Sequence, residues 1–189
     1  MAGGIERTKP STTAVLVVDV QDKLVATIPP EQMRELERAT RILLGAAAEL
    51  GAPVLATEQY PKGLGPTIEP IRGWLGQAGV TPVEKTTFSA SKEPKFLEEL
   101  RRHKVDAVIV LGMESHICVF QTVRDLVSAG LRVDVPIDGV ASRREDHRAT
   151  GLALCEKAGA TLTTAETILF DWLVQSGTDT FRRLSRLVR

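Results

Sequence analysis

The chain has 189 residues, with 24 Lys+Arg against 24 Asp+Glu and 43% hydrophobic residues. That length fits one domain spanning 1–189 with a core large enough to need no disulfide staples. Zero net charge argues against a nucleic-acid partner, and the ordinary apolar content argues against a disordered chain.

No apolar run approaches the ~18–20 residues of a membrane span, so no membrane partner is expected. Residues 1–10 are polar and carry no signal-peptide core. Two cysteines, Cys118 and Cys155, are too few for a disulfide framework. The expectation is a soluble, cytoplasmic domain.

Residues 14–20 are continuously apolar up to Asp19, the pattern of a strand buried on both faces. Met33, Leu36, Leu43, Leu44, Ala47 and Leu50 follow at helical spacing, behind Pro29-Pro30 and before Gly51. Residues 53–57 and 80–84 read as the second and third strands, with residues 63–66 and 73–79 as loop between them. A helix over 94–102 leads to an apolar strand at 107–111. Residues 115–129 are helical in pattern and stop at Gly130. A strand at 131–137, a helix around 144–158 and a strand at 160–164 complete the series, with helical segments behind them.

Six strands alternating with helices imply parallel β-α-β units. The fold class read from this pattern is α/β: a doubly wound three-layer sandwich with a mainly parallel six-stranded sheet. Ligands of such folds bind at the carboxyl ends of the strands. The sequence contains no Gly-x-Gly-x-x-Gly opening a helix, no phosphate-binding loop and no Gly-x-Ser-x-Gly elbow. His103, His116 and His147 show no ligand spacing, so no metal and no cofactor is expected.

Three ionisable groups stand at strand ends. Cys118 lies where the fourth strand turns into a helix, and a helix N-terminus lowers a thiol's pKa and offers N–H groups to an oxyanion. Asp19, inside an apolar strand, needs a partner. Lys85, on a strand expected beside it, could supply the charge and stabilise a thiolate. Two readings stand on these residues alone: a catalytic trio, or a structural ion pair near a cysteine that packs as a small hydrophobe.

Val17-Val-Asp-Val-Gln21, Glu84-Lys-Thr-Thr-Phe-Ser89 and Leu111-Gly-Met-Glu-Ser-His-Ile-Cys-Val119 resemble the isochorismatase-like cysteine hydrolases. Asp138-Gly-Val-Ala-Ser142 with Arg143 and Asp146, and Gly159-Ala-Thr-Leu-Thr-Thr-Ala-Glu166, are similar to that family's later landmarks. Each motif is weak alone; together, in order over 12–174, they are specific.

The resemblance implies an Asp19–Lys85–Cys118 triad and a cis peptide at Met113–Glu114. It implies oxyanion donors on the backbone of Met113, Glu114 and Cys118. Gln21, Tyr60, Phe88, Glu114 and Ile117 would then surround the nucleophile. The implied activity is hydrolysis of a small amide or related C–N bond through an acyl-thioester, in a homo-oligomer acting on a small-molecule substrate. The nicotinamidases of the superfamily carry metal-binding histidines after the second strand; here that stretch is Glu58-Gln-Tyr-Pro-Lys-Gly-Leu-Gly65, which has none. True isochorismatases lack the cysteine that this chain has. A non-catalytic oligomeric interaction protein with a vestigial pocket is the alternative, and thiol-based redox sensing is a third reading.

Overall fold

The computed structural model describes residues 6–189; the part of the polar N-terminal reading that falls on 1–5 lies outside the described residues. In chain order the elements are β1 (Thr13–Val18), α1 (Asp22–Val25), α2 (Pro30–Leu50), β2 (Val54–Gln59), α3 (Pro61–Leu64), α4 (Ile71–Gln77) and β3 (Val83–Lys85). They continue with α5 (Pro94–Arg102), β4 (Ala107–Met113), α6 (Phe120–Ser128), β5 (Arg132–Pro136) and β6 (Val140–Ala141). The chain closes with α7 (Glu145–Lys157), β7 (Thr161–Thr163), α8 (Ala165–Leu173) and α9 (Asp179–Leu184).

All strand pairs are parallel, in the order β3-β2-β1-β4-β5-β7, with β6 paired to β4 as a seventh strand. The sequence pattern gives six strands. β6 escaped it because two residues carry no periodicity. Residues 73–79, read as loop, lie mostly in α4: Ile71 and Leu75 are buried one turn apart, a face masked by three glycines among residues 73–79.

Alternation along the central strands builds the two cores. Val15, Val17, Ile109 and Leu111 point to one side of the sheet, where they meet Leu36 and Leu43 of α2 and Leu169 of α8. Ala14, Leu16, Val108 and Val110 point to the other, against Phe96 of α5, Val123 of α6 and Cys155 of α7. Both faces of β1 and β4 are therefore covered, which is why their sequences are continuously apolar. The result is the expected three-layer, doubly wound sandwich.

The helical segments expected at the end of the chain include a basic tail that is strapped to α2. Leu184 is buried, and Arg38 and Arg41 of α2 donate to the Val188 and Leu187 carbonyls at 2.6 and 3.0 Å. Among the described residues no helix is long and apolar enough to cross a membrane.

Chain direction across the sheet reverses between β1 and β4. From β1 the chain moves outward through β2 and β3, then returns to the other side of β1 for β4. The carboxyl ends of β1 and β4 diverge there, the place where doubly wound folds open a crevice.

Candidate active site

The site lies at this switch point. In register, Val18 faces Thr57 of β2 and Gly112 of β4, so the residues just beyond them share one end of the sheet. Gly112 is needed here: its φ is +116°, and a Cβ on it would lie 2.1 Å from the Val18 carbonyl oxygen.

Asp19 falls one residue past β1, not inside it, with a left-handed φ of +51° and no solvent exposure. That conformation is uncommon for a residue other than glycine. It turns the carboxylate across the sheet end. Thr57 donates its hydroxyl to Asp19 Oδ1 at 2.7 Å, and Lys85 Nζ stands 2.6 Å from Oδ2.

Lys85 is not on the adjacent strand, as the sequence reading had it. It ends β3, with β2 intervening, and its long side chain crosses the end of β2. Gln59 closes the gap: Lys85 Nζ donates to Gln59 Oε1 at 2.6 Å and to the carbonyls of Thr87 and Phe88 at 3.2 and 3.0 Å. These three acceptors match the three hydrogens of an ammonium. The contact with Asp19 Oδ2 is thus ionic, and this oxygen accepts no well-aligned hydrogen bond.

Cys118 sits in a single π-helical turn, Ser115–Val119, ahead of α6. Such turns are frequent at functional sites. Gly151 of α7 lets that helix press on the turn, since a Cβ there would lie 2.5 Å from Ser115. Cys118 is a free, buried thiol.

Its ionisation runs opposite to the expectation of a thiol lowered by a helix end. Burial first, and the Asp19 charge second, push the Cys118 thiol up to about 12, against the pull of Lys85. Burial also raises the Asp19 carboxyl, against Lys85, Thr57 and Cys118. One ammonium serves two potential anions, so removing both protons would leave a net negative charge in a dry site. With its pKa pushed up to about 12, the thiol is neutral near neutral pH.

The peptide between Met113 and Glu114 is cis. Met113 buries its side chain in the α2-side core and meets the site only through its backbone. The Glu114 side chain turns to Arg143, which gives it a backbone N–H at 3.0 Å, Nε at 3.0 and 3.2 Å, and Nη2.

The other expected pocket residues divide. Gln21 is fully buried, and its amide is committed to the Gln59 backbone (3.0 and 2.7 Å) and the Gly65 carbonyl (2.7 Å). It ties the β1 and β2 ends together and presents no free polar atom to a substrate. Tyr60 and Phe88 are 56% and 52% exposed, so they are neither core nor closed pocket wall. Tyr60 lines a depression of about 360 Å³ with Lys62, Lys85, Thr86 and Glu93. Ile117 is half-buried against the core on the α6 side. His116 turns away from the thiol, with Nδ1 3.1 Å from Ser142 Oγ and its ring 4.6 Å from that of His147.

Thr57 and Gln59 were missed from sequence. Both are polar residues spaced by two at the end of an apolar strand, so they share one face beside Asp19. That alternation was the available signal. Among the described residues no group of three or more His, Cys, Asp or Glu side chains could hold a metal.

Residues 13–167 match the family model described as the Isochorismatase domain. The mouse isochorismatase domain-containing protein 2A is 31% identical over 184 residues, 97% of this chain and 85% of that protein. The solved structure of MAR1 ribonuclease from Caenorhabditis elegans superposes with a TM-score of 0.89 at 36% identity, covering 97% of this chain and 92% of that one. YcaC from Escherichia coli, an octameric hydrolase of unknown specificity, shares the fold with a TM-score of 0.88 at 17% identity, over 98% and 92% of the two chains.

Proposed function

The chain belongs to the isochorismatase domain family, and we propose that within it this protein is a cysteine-dependent hydrolase of small amides or related C–N bonds. The observation that carries this reading is the buried Asp19–Lys85 pair at 2.6 Å, close enough to Cys118 that, after burial, its carboxylate is the next cause raising the thiol. A purely structural ion pair has no need of a thiol beside it, and replacing such a pair with apolar residues is often neutral or stabilising.

In the proposed cycle Cys118 Sγ attacks the substrate carbonyl while Asp19 Oδ2 takes the thiol proton. The raised proton affinity of Asp19 suits it to that task. Lys85 keeps one positive charge beside whichever group is anionic. Backbone N–H groups of Glu114 and Cys118 are the proposed oxyanion donors. Collapse of the tetrahedral intermediate breaks the C–N bond, and the leaving amine takes the proton back from Asp19. A water, deprotonated by Asp19, then hydrolyses the thioester and returns the thiol.

Two exposed aromatic side chains beside the site support assembly into a homo-oligomer. Tyr60 and Phe88 stand exposed near the Lys85 end, where a second copy would cover them. Gln21, fully hydrogen-bonded, is assigned to positioning.

The name of the C. elegans structure favours a second reading, RNA phosphodiester cleavage. The zero net charge supports the first. Wild type and Cys118→Ala, assayed on a panel of small amides and on single-stranded RNA, separate them. Amide turnover that vanishes in the variant supports the cysteine hydrolase; undiminished turnover in the variant, or cleavage of RNA alone, overturns it.

A further inference from the structure

The Glu114 carboxylate is only 4% exposed, yet it lies on the residue that opens the nucleophile turn. Such a group requires a partner. Arg143, from the loop between β6 and α7, supplies its own backbone N–H and both Nε and Nη2 of its guanidinium. A fork of this kind fixes direction as well as distance.

The next residue is held by the same loop. Ser115 N donates to Ser142 Oγ at 3.1 Å, and the two serine hydroxyls are 2.7 Å apart. Ser142 is anchored in turn, its N–H donating to Gln32 Oε1 of α2 at 2.9 Å. Residues 114 and 115 are thus gripped from one side by residues 142 and 143, which are themselves tied to a long helix. Burial pushes the Glu114 carboxyl up, but the Arg143 hydrogen bonds and charge outweigh it and hold it below the ordinary carboxylate range. The pair is therefore charged across the neutral range.

Nothing in the chemistry of amide hydrolysis needs a Glu–Arg pair at this place. What the pair does control is the orientation of the Glu114 peptide unit. We infer that Arg143 is a positioning residue: through the Glu114 side chain it fixes the Glu114 N–H at the angle that receives the oxyanion formed by Cys118 attack. This deepens, and rests on, the cysteine-hydrolase reading.

Two reactions of the same thiol separate positioning from mere structure. Iodoacetamide alkylates sulfur by displacing iodide and develops no oxyanion. p-Nitrophenyl acetate acylates it through a tetrahedral oxyanion: the S–C bond forms, p-nitrophenolate leaves, and the thiol proton passes to Asp19. The protein would be compared with Arg143→Met, Arg143→Lys and the double variant Glu114→Gln/Arg143→Met, which leaves no buried charge unpaired.

Acylation should fall about 10–100-fold in Arg143→Met, the scale of a displaced oxyanion donor. Alkylation should stay within about twofold. Arg143→Lys, which keeps the charge but loses the fork, should lie between. The double variant should acylate as slowly as Arg143→Met while melting nearer to wild type. Equal acylation in wild type and Arg143→Lys, or a parallel fall in both reactions, overturns the inference. If Arg143→Met does not fold, the lysine and double variants decide it by the same ratio. A wild type that alkylates but never acylates instead sinks the hydrolase reading, and the inference with it.

Discussion

Replacing Lys85 by methionine removes one charge from a pair in which neither side chain meets solvent. The Asp19 carboxylate would keep the Thr57 hydroxyl and lose the one cation that pairs with it among the described residues. Breaking a buried pair from one side costs about 3–5 kcal/mol. For a chain of this length each kcal/mol lowers Tm by about 2–4 °C, so the fall should be about 6–20 °C near neutral pH.

The pH dependence has a definite sign. Burial already holds the folded Asp19 pKa above its unfolded value, and loss of Lys85 raises it further. A raised carboxyl favours the folded state at low pH and loses that contribution as pH rises through the folded pKa. Lys85→Met should therefore be penalised less at pH near 5 than near 8. Adding Asp19→Asn removes the orphaned charge and should recover much of the loss, a coupling visible in a double-mutant cycle. Urea denaturation followed by tryptophan fluorescence at both pH values measures this. A cost below about 1 kcal/mol, an equal cost at both pH values, or no recovery in the double variant would show that Lys85 does not hold a buried Asp19 charge.

Two further outcomes follow from the surroundings of Cys118. With the Cys118 thiol pushed up to about 12, thiolate is scarce at neutral pH. Iodoacetamide alkylation should climb about tenfold per pH unit between 7 and 9, and a plateau below pH 8 would contradict the raised thiol. Gly151→Ala puts a methyl 2.5 Å from Ser115, so the π-helical turn must shift. Overpacking of this kind costs about 1–3 kcal/mol, and Cys118 alkylation should change rate; a variant matching wild type in both stability and reactivity would show that α7 does not brace the turn.

The layers of the fold were legible because burial on both faces leaves unbroken apolar runs, as in residues 14–18 and 107–111. β6 and α4 were not, one being too short for a period and the other diluted by glycine. The three ionisable residues could be picked out from their places at strand ends, and motif resemblance grouped them. What sequence could not reveal was the intervening strand. Lys85 reaches Asp19 only across Gln59, a relation created by sheet order and absent from spacing. The thiol's direction of shift is illegible in the sequence for a related reason. A helix end is a local feature, whereas burial and the Asp19 charge come from elements brought together by the fold.

The proposed hydrolysis depends on acylation of Cys118 with Asp19 taking its proton. Intact-mass measurement after rapid mixing with p-nitrophenyl acetate detects that step in wild type, Cys118→Ala and Asp19→Asn. A single acetyl group is expected on wild type, mapped to Cys118, absent from Cys118→Ala and formed about 100–10,000-fold more slowly in Asp19→Asn, the usual contribution of a positioned base. Acetylation mapped elsewhere, or an Asp19→Asn rate equal to wild type, would contradict it.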